Sequence, residues 1–285
     1  MSDFRARRLS DLLDAPRPIV QAEATNEQVP THPMSIAFPL YIYPLPDAWT
    51  PLFTAIERNQ NIIFNLIVNP NNGPGAPPLP DTNYIQNLAK LNSHSNVHLF
   101  GYIHTTWGAR PLAAIEADLA VYGGWAQHAA ADIHVDGVFL DEAPSDLKFI
   151  AYMKSIAQAT KAALGSQARV WGNPGVPVDA AFYAVVDVVN ACENSWEFWA
   201  KGGGREGVSR ELRARSTVMV HGFSGAAGDL EGVVLRLVRA GFCAGLITTD
   251  QSYTAFCPLW DTFVGCVAVA NETMGSGGDG VRTEV

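Results

Sequence analysis

The 285-residue chain carries 19 Lys plus Arg against 28 Asp plus Glu, a formal net charge of −9. With no run of basic residues, that balance argues against nucleic acid and anionic membrane surfaces as partners. Charged residues make up only 16 % and apolar ones 48 %, with 25 Gly and 18 Pro, so the composition excludes a disordered or fibrous chain and describes a large-cored, loop-rich globule.

Residues 1–33 are polar, hold Pro and charges of both signs, and read as a flexible leader. They contain no apolar core of the ~7 to 15 residues that a secretory signal needs. As written, the sequence carries no export signal and is cytoplasmic in that sense only, so its location is left unassigned. No stretch nears the ~18 consecutive apolar residues of a membrane span.

From residue 34 to 270 short β-branched runs alternate with helix-like segments. The first run is 39–44 (PLYIYP), followed by a helix over 48–58. Then come 62–69 (IIFNLIVN) with a helix over 83–91, and 97–105 (VHLFGYIHT) with a helix over 111–130. The run 137–142 (GVFLDE) precedes a helix over 145–164 with Ser145 as its N-cap, and 169–174 (RVWGNP) precedes a short helix over 179–184. The last runs are 187–193 (DVVNACE), with a weak region after Trp196, 217–223 (TVMVHGF) with a helix over 230–240, and 245–250 (GLITTD) with a helix over 259–270. Residues 271–285 read as a flexible tail.

Near-continuous apolar strands separated by helices predict a parallel sheet covered on both faces. Eight such units in this length predict an α/β fold, a single (β/α)8 TIM barrel, with a doubly wound open sheet as the alternative. Cys192, Cys243, Cys257 and Cys266 show no C-x-x-C spacing and read as small buried apolar residues, with a Cys257–Cys266 bridge as the alternative.

The polar residues collect at the C-terminal ends of the runs, where a barrel gathers its chemistry. Alternation puts Asp141 on one face with Phe139 and Gly137, toward the mouth. Glu142 lies past the strand and either enters the site or supports it from the loop. In 187–193 alternation groups Glu193 with Val189 and Ala191, two strand positions further round. Opposed carboxyl groups at a barrel mouth suit glycoside hydrolysis, and a helix-capping or solvated Asp-Glu pair is the alternative.

The strings PLYIYPLPDAW, VNPNNGPG, GYIHTTWG, DGVFLDE and NPG, with Glu193 after the sixth run, resemble the spherulation-specific family 4 (spherulin 4-like) proteins, in order over about residues 38–200. The resemblance implies a (β/α)8 hydrolase. It further implies an endo-acting α-1,4-N-acetylgalactosaminidase cutting galactosaminogalactan, a partly cationic polysaccharide. Carried over, the family's Asp-Glu pair falls on Asp141 and Glu142 and its later acidic residue on Glu193. Family members often carry a secretion signal or anchor, and the usual aromatic before the later Glu is Cys192 here.

On these grounds Asp141 is assigned as nucleophile or charge stabiliser, Glu193 as acid/base, and Glu142 as support or in exchange with Asp141. A carboxyl separation of ~5 to 5.5 Å would favour the expected retention of configuration, and ~6.5 to 9.5 Å inversion. Tyr43, Asn69, His104, Thr105, Trp107 and Asn173 are the candidate substrate-binding residues, with Trp107 as the stacking platform and packing or turn roles as alternatives. The histidines show no metal-ligand spacing, so neither metal nor cofactor is expected, and the chain is expected to act as a monomer. A non-catalytic carbohydrate-binding or developmental structural protein, or a hydrolase of a different polysaccharide, are the competing functions.

Overall fold

The structure, a computed structural model, describes residues 32–203 and 207–276. Eight parallel strands close in sequence order into a barrel. In chain order the elements are β1 (Ser35–Leu40), α1 (Thr50–Arg58), β2 (Phe64–Val68), α2 (Thr82–Asn92), β3 (Val97–His104), α3 (Leu112–Trp125), β4 (Gly137–Asp141), α4 (Ile150–Leu164) and β5 (Arg169–Gly172). They continue with α5 (Ala180–Tyr183), β6 (Val188–Ser195), α6 (Trp196–Ala200), α7 (Arg210–Arg213), β7 (Ser216–His221), α8 (Ala227–Ala240), β8 (Ala244–Ile247) and α9 (Trp260–Ser276). The predicted barrel is therefore the fold, and the open sheet is not.

The interior is filled by side chains on alternate strand positions. Phe100, Phe139 and Trp171 come from β3, β4 and β5, and both phenyl rings meet the indole edge-on at 5.3 Å. Outside, α8 buries Leu230, Val233, Val234, Leu237 and Val238, the i, i+3, i+4, i+7, i+8 stripe of a helix lying on a sheet. Gly101 belongs to this outer packing. A Cβ there would sit 2.6 Å from the Tyr122 ring, whose hydroxyl donates to the Tyr102 carbonyl at 2.9 Å and anchors α3 to β3.

The first strand lies earlier than expected, at Ser35–Leu40 rather than 39–44. Proline reads as a strand start because it has no N–H to give a ladder. Here the nitrogens of Ser35 and Ile36 bond to opposite neighbours, β8 and β2, so by alternation the Pro39 nitrogen faces β8. Pairing with β8 ends at Ile36↔Gly245, and the missing donor leaves nothing unpaired. Tyr41 therefore becomes the first residue beyond β1, and Tyr43 stands further out on the loop.

Helix boundaries differ as well: the helix expected over 111–130 ends at Trp125, and the one expected from 230 begins at Ala227. Asp146, not Ser145, is the cap: its carboxylate accepts from Lys148 N at 3.0 Å and starts a 3-10 turn over Leu147–Phe149 ahead of α4. The boundary expected at residue 271 falls inside α9, which continues to Ser276. The Asn271 amide both accepts from Met34 N and donates to Met34 O at 2.9 Å, tying the last helix to the entry of the first strand. All four cysteines are free thiols, so the Cys257–Cys266 alternative is not formed. Apart from His32 and Pro33, the leader predicted over 1–33 lies outside the described residues, as do residues 277–285 of the tail. Among the described residues no helix is long and apolar enough to cross a membrane.

Candidate active site

Three consecutive strands deliver the centre of the mouth: Asp141 ends β4, Asn173 follows β5, and Glu193 lies near the end of β6. The Asn173 amide nitrogen donates to Asp141 Oδ1 at 2.7 Å and to Glu193 Oε2 at 2.6 Å. Two oxygens held at those distances from one nitrogen lie at most about 5.3 Å apart, the sum of the two. With the nitrogen committed to the carboxylates, Asn173 Oδ1 must face a donor. Asn190 Nδ2 supplies it at 2.9 Å, and Thr217 Oγ1 donates to Asn190 Oδ1 at 3.0 Å. Asn173, Asn190 and Thr217 are all buried, so this chain of bonds fixes the pair from beneath.

Glu193 reaches the mouth by a route that alternation does not give. Trp171 pairs with Val188 and Asn190 with Thr217, so Val188 and Asn190 point inward while Val189 and Ala191 face the helices. Strict alternation would then send Cys192 inward and Glu193 outward. The register with β7 shifts between Asn190 and Cys192, a β-bulge, after which Glu193 pairs with Met219 and Ser195 with His221. The extra residue turns Glu193 into the mouth. The expected orientation is correct, but the face shared with Val189 and Ala191 is not.

Tyrosines complete the cradle. Tyr102 donates to Asp141 Oδ2 at 2.8 Å, and Tyr253, from the loop after β8, donates to Glu193 Oε1 at 3.1 Å. Between them stands Tyr41, its ring edge-on to Tyr102 at 5.6 Å and to Tyr253 at 6.1 Å. Burial, and then the nearby carboxylate charge, push all three phenols well above the usual tyrosine range, so each is a neutral donor at any working pH. Each carboxylate thus accepts two hydrogen bonds, one from the shared Asn173 amide and one from its own tyrosine.

Glu142 follows Asp141 in the left-handed region at φ 51°, as do Thr106 at 49° and Trp107 at 52° on the facing loop. Those turns are locked together: the Glu142 carbonyl accepts from Trp107 N at 2.7 Å and from Thr105 Oγ1 at 2.8 Å. Its carboxylate accepts no hydrogen bond among the described residues, and its charge helps hold the Tyr102 hydroxyl up, so it borders the mouth.

The remaining candidates divide. Trp107 is 53 % exposed on the rim, and Tyr43 is also exposed, its hydroxyl bonded to Asp81 and Asn83. His104 is half-buried with Nδ1 enclosed and unpartnered among the described residues, leaving Nε2 open. Thr105 is fully buried and spends its hydroxyl on Glu142, Asn69 Oδ1 accepts from Gly73 N at 2.9 Å to shape its own loop, and Asn173 is committed to the carboxylates. Sequence reasoning did not select Tyr41, Tyr102, Asn190 or Tyr253. Tyr102 was within reach, two positions before His104 on the same face; Tyr253 lies in a loop with no periodicity.

Residues 35–267 match the profile of spherulation-specific family 4. Spherulin-4 of Physarum polycephalum is 26 % identical over 253 residues, 86 % of this chain and 70 % of that one. The structure of Aspergillus clavatus Sph3 in complex with GalNAc has a TM-score of 0.77 at 29 % identity, over 85 % of this chain and 100 % of that one. A chitinase from Bacteroides thetaiotaomicron, with a TM-score of 0.56 at 8 % identity over 88 % of this chain and 100 % of that one, shares the barrel. With the match running from the first strand into the last helix, the chain belongs to spherulation-specific family 4.

Proposed function

We propose that the protein is an endo-acting glycoside hydrolase that cleaves an α-1,4-linked polysaccharide of N-acetylgalactosamine and galactosamine with retention of configuration. The observation that carries this reading is the bridge from Asn173 to Asp141 and Glu193, which holds two carboxylate oxygens no more than about 5.3 Å apart. A ceiling of that size supports the ~5 to 5.5 Å spacing of retaining glycosidases over the ~6.5 to 9.5 Å of inverting ones. The resemblance implies that the family's Asp-Glu pair falls on Asp141 and Glu142 and its later acid on Glu193, and a relative of 29 % identity is known in complex with GalNAc.

In this reading Asp141 attacks the anomeric carbon while Glu193, protonated, gives its proton to the departing glycosidic oxygen. The glycosyl ester on Asp141 is then hydrolysed by a water that Glu193 deprotonates, restoring both groups. Glu142 adds negative charge beside the developing oxocarbenium ion. Trp107 offers a flat apolar face to a sugar ring, and His104 and Tyr43 offer polar contacts to hydroxyls. Thr105 and Asn69 serve by holding the loops.

The test is release of new reducing ends from partly deacetylated galactosamine polymer. The parental protein is expected to cleave, and Asp141→Asn and Glu193→Gln to lose activity by at least about a thousandfold. Either variant turning over at the parental rate would refute the assignment.

A further inference from the structure

Beside Glu193 the mouth holds a second polar and aromatic group that the reaction above does not use. His221 is the last residue of β7 and pairs with Ser195, two positions beyond the Glu193↔Met219 pair. Thr217 Oγ1 reaches Asn190 inside the barrel, so alternation through Met219 carries His221 inward as well, at the level of the mouth. Its Nδ1 is enclosed and has no partner among the described residues. Nε2 likewise makes no hydrogen bond among the described residues and is not enclosed, and the inward direction of the ring aims it at the mouth.

Burial holds this imidazole below the usual histidine range, and it is neutral at neutral pH. A neutral ring carries one proton. An enclosed lone pair costs less than an enclosed, unpaired N–H, which puts the proton on Nε2 and makes the exposed nitrogen a donor. Trp196, one residue past the Ser195↔His221 pair, is only partly buried, and its indole meets the ring of buried Phe223 edge-on at 4.7 Å. A braced indole on the strand end that faces a fixed donor supplies the two kinds of contact a pyranose takes: stacking for its C–H face and a hydrogen bond for a hydroxyl.

We propose that His221 and Trp196 form the subsite for the leaving-side sugar, the residue whose glycosidic oxygen departs. This rests on the hydrolase reading above. The side follows from chemistry, because the acid that protonates the departing oxygen stands against it, and Glu193 shares its strand with Ser195 and Trp196. Trp107, on the β3 loop across the mouth, then serves the opposite side, and the polymer runs from the β3 loop to the β6–β7 edge.

Steady-state constants of the parent, His221→Ala, His221→Gln and Trp196→Ala should be compared on α-1,4-N-acetylgalactosamine oligomers and on an aryl α-N-acetylgalactosaminide, whose leaving group is not a sugar. The oligomer KM is expected to rise about tenfold in His221→Ala and Trp196→Ala, several times more than the aryl KM, with kcat less affected. His221→Gln, which keeps an N–H, is expected to recover most of the loss. Equal losses on both substrates, a uniform fall in kcat with a lowered Tm, or parental constants on the oligomers would overturn the subsite alone. A parent that cleaves neither substrate would overturn the hydrolase reading and the subsite with it.

Discussion

Asn173 has neither charge nor nucleophile, yet its one amide nitrogen serves both carboxylates. Hydrogen bonds to charged groups are worth ~1.5 to 3 kcal/mol each. Asn173→Ala should therefore lower kcat about 10- to 100-fold with little change in KM. In sequence, Asn before Pro174 reads equally as a turn residue or a sugar ligand; only Asn190 beneath it reveals a relay, and a lone Asn in an apolar run carries no such signal. The tyrosines are separable by substitution. Tyr102→Phe removes the donor to Asp141 and Tyr253→Phe the donor to Glu193. Each should lower kcat about tenfold with KM little changed, and parental kcat in either variant would remove that tyrosine from the cradle.

At the scale of elements, strands with continuous apolar runs were legible and their irregularities were not. The Pro39 position misled because the point where β1 leaves β8 is a property of the closed barrel. The β4–β5 seam is likewise invisible in sequence: a Cβ on Gly137 would lie 2.1 Å from the Arg169 carbonyl oxygen. Gly137→Ala should cost ~1 to 3 kcal/mol, seen as a Tm lower by several degrees.

The entry to β4 holds a charge cluster. His134 Nδ1 lies 2.6 Å from Asp132 and its Nε2 3.7 Å from Asp136, and His98 stands 3.6 Å from Asp136. The Asp136 and Asp132 carboxylates, working against partial burial of the ring, raise His134 from 6.5 to about 9. Burial opposes the charge on Asp136, but bonds from His134, His98 and Leu99 N outweigh it and hold that carboxyl low. The histidine's contribution is therefore complete below pH 6.5 and lost as pH rises through about 9, while the aspartate's is lost only in strong acid. Since the ring is 42 % exposed, about 1 kcal/mol is at stake. The Tm gap between parent and His134→Ala should close between pH 7 and pH 10, which urea midpoints at each pH would check.

Across the whole molecule, exposed large apolar groups collect on one end. Tyr43, Leu45, Trp107, Leu147 and Val176 all stand on loops after strand C-termini, with only Ile63 and Val269 elsewhere among the large exposed apolar residues described. Asp47, Asp81, Glu142 and Asp250 share that end, in a chain of net charge −9. If the polymer of the proposed function binds through its free amines to these four acids, screening over ~10 Å at 0.1 M salt should weaken that binding. Raising salt from 20 to about 200 mM should lower kcat/KM on partly deacetylated polymer several-fold while leaving the fully acetylated polymer little affected.

The bulge in β6 also sets how such a site can be lost or gained. Asn190 and Glu193 are an odd number of residues apart yet both face the axis, so this strand carries two parities joined at one inserted residue. A point substitution changes one member of the site. Straightening the strand at constant length would exchange everything beyond Asn190 at once, trading carboxylate for thiol at the centre while leaving the barrel's hydrophobic pattern below intact.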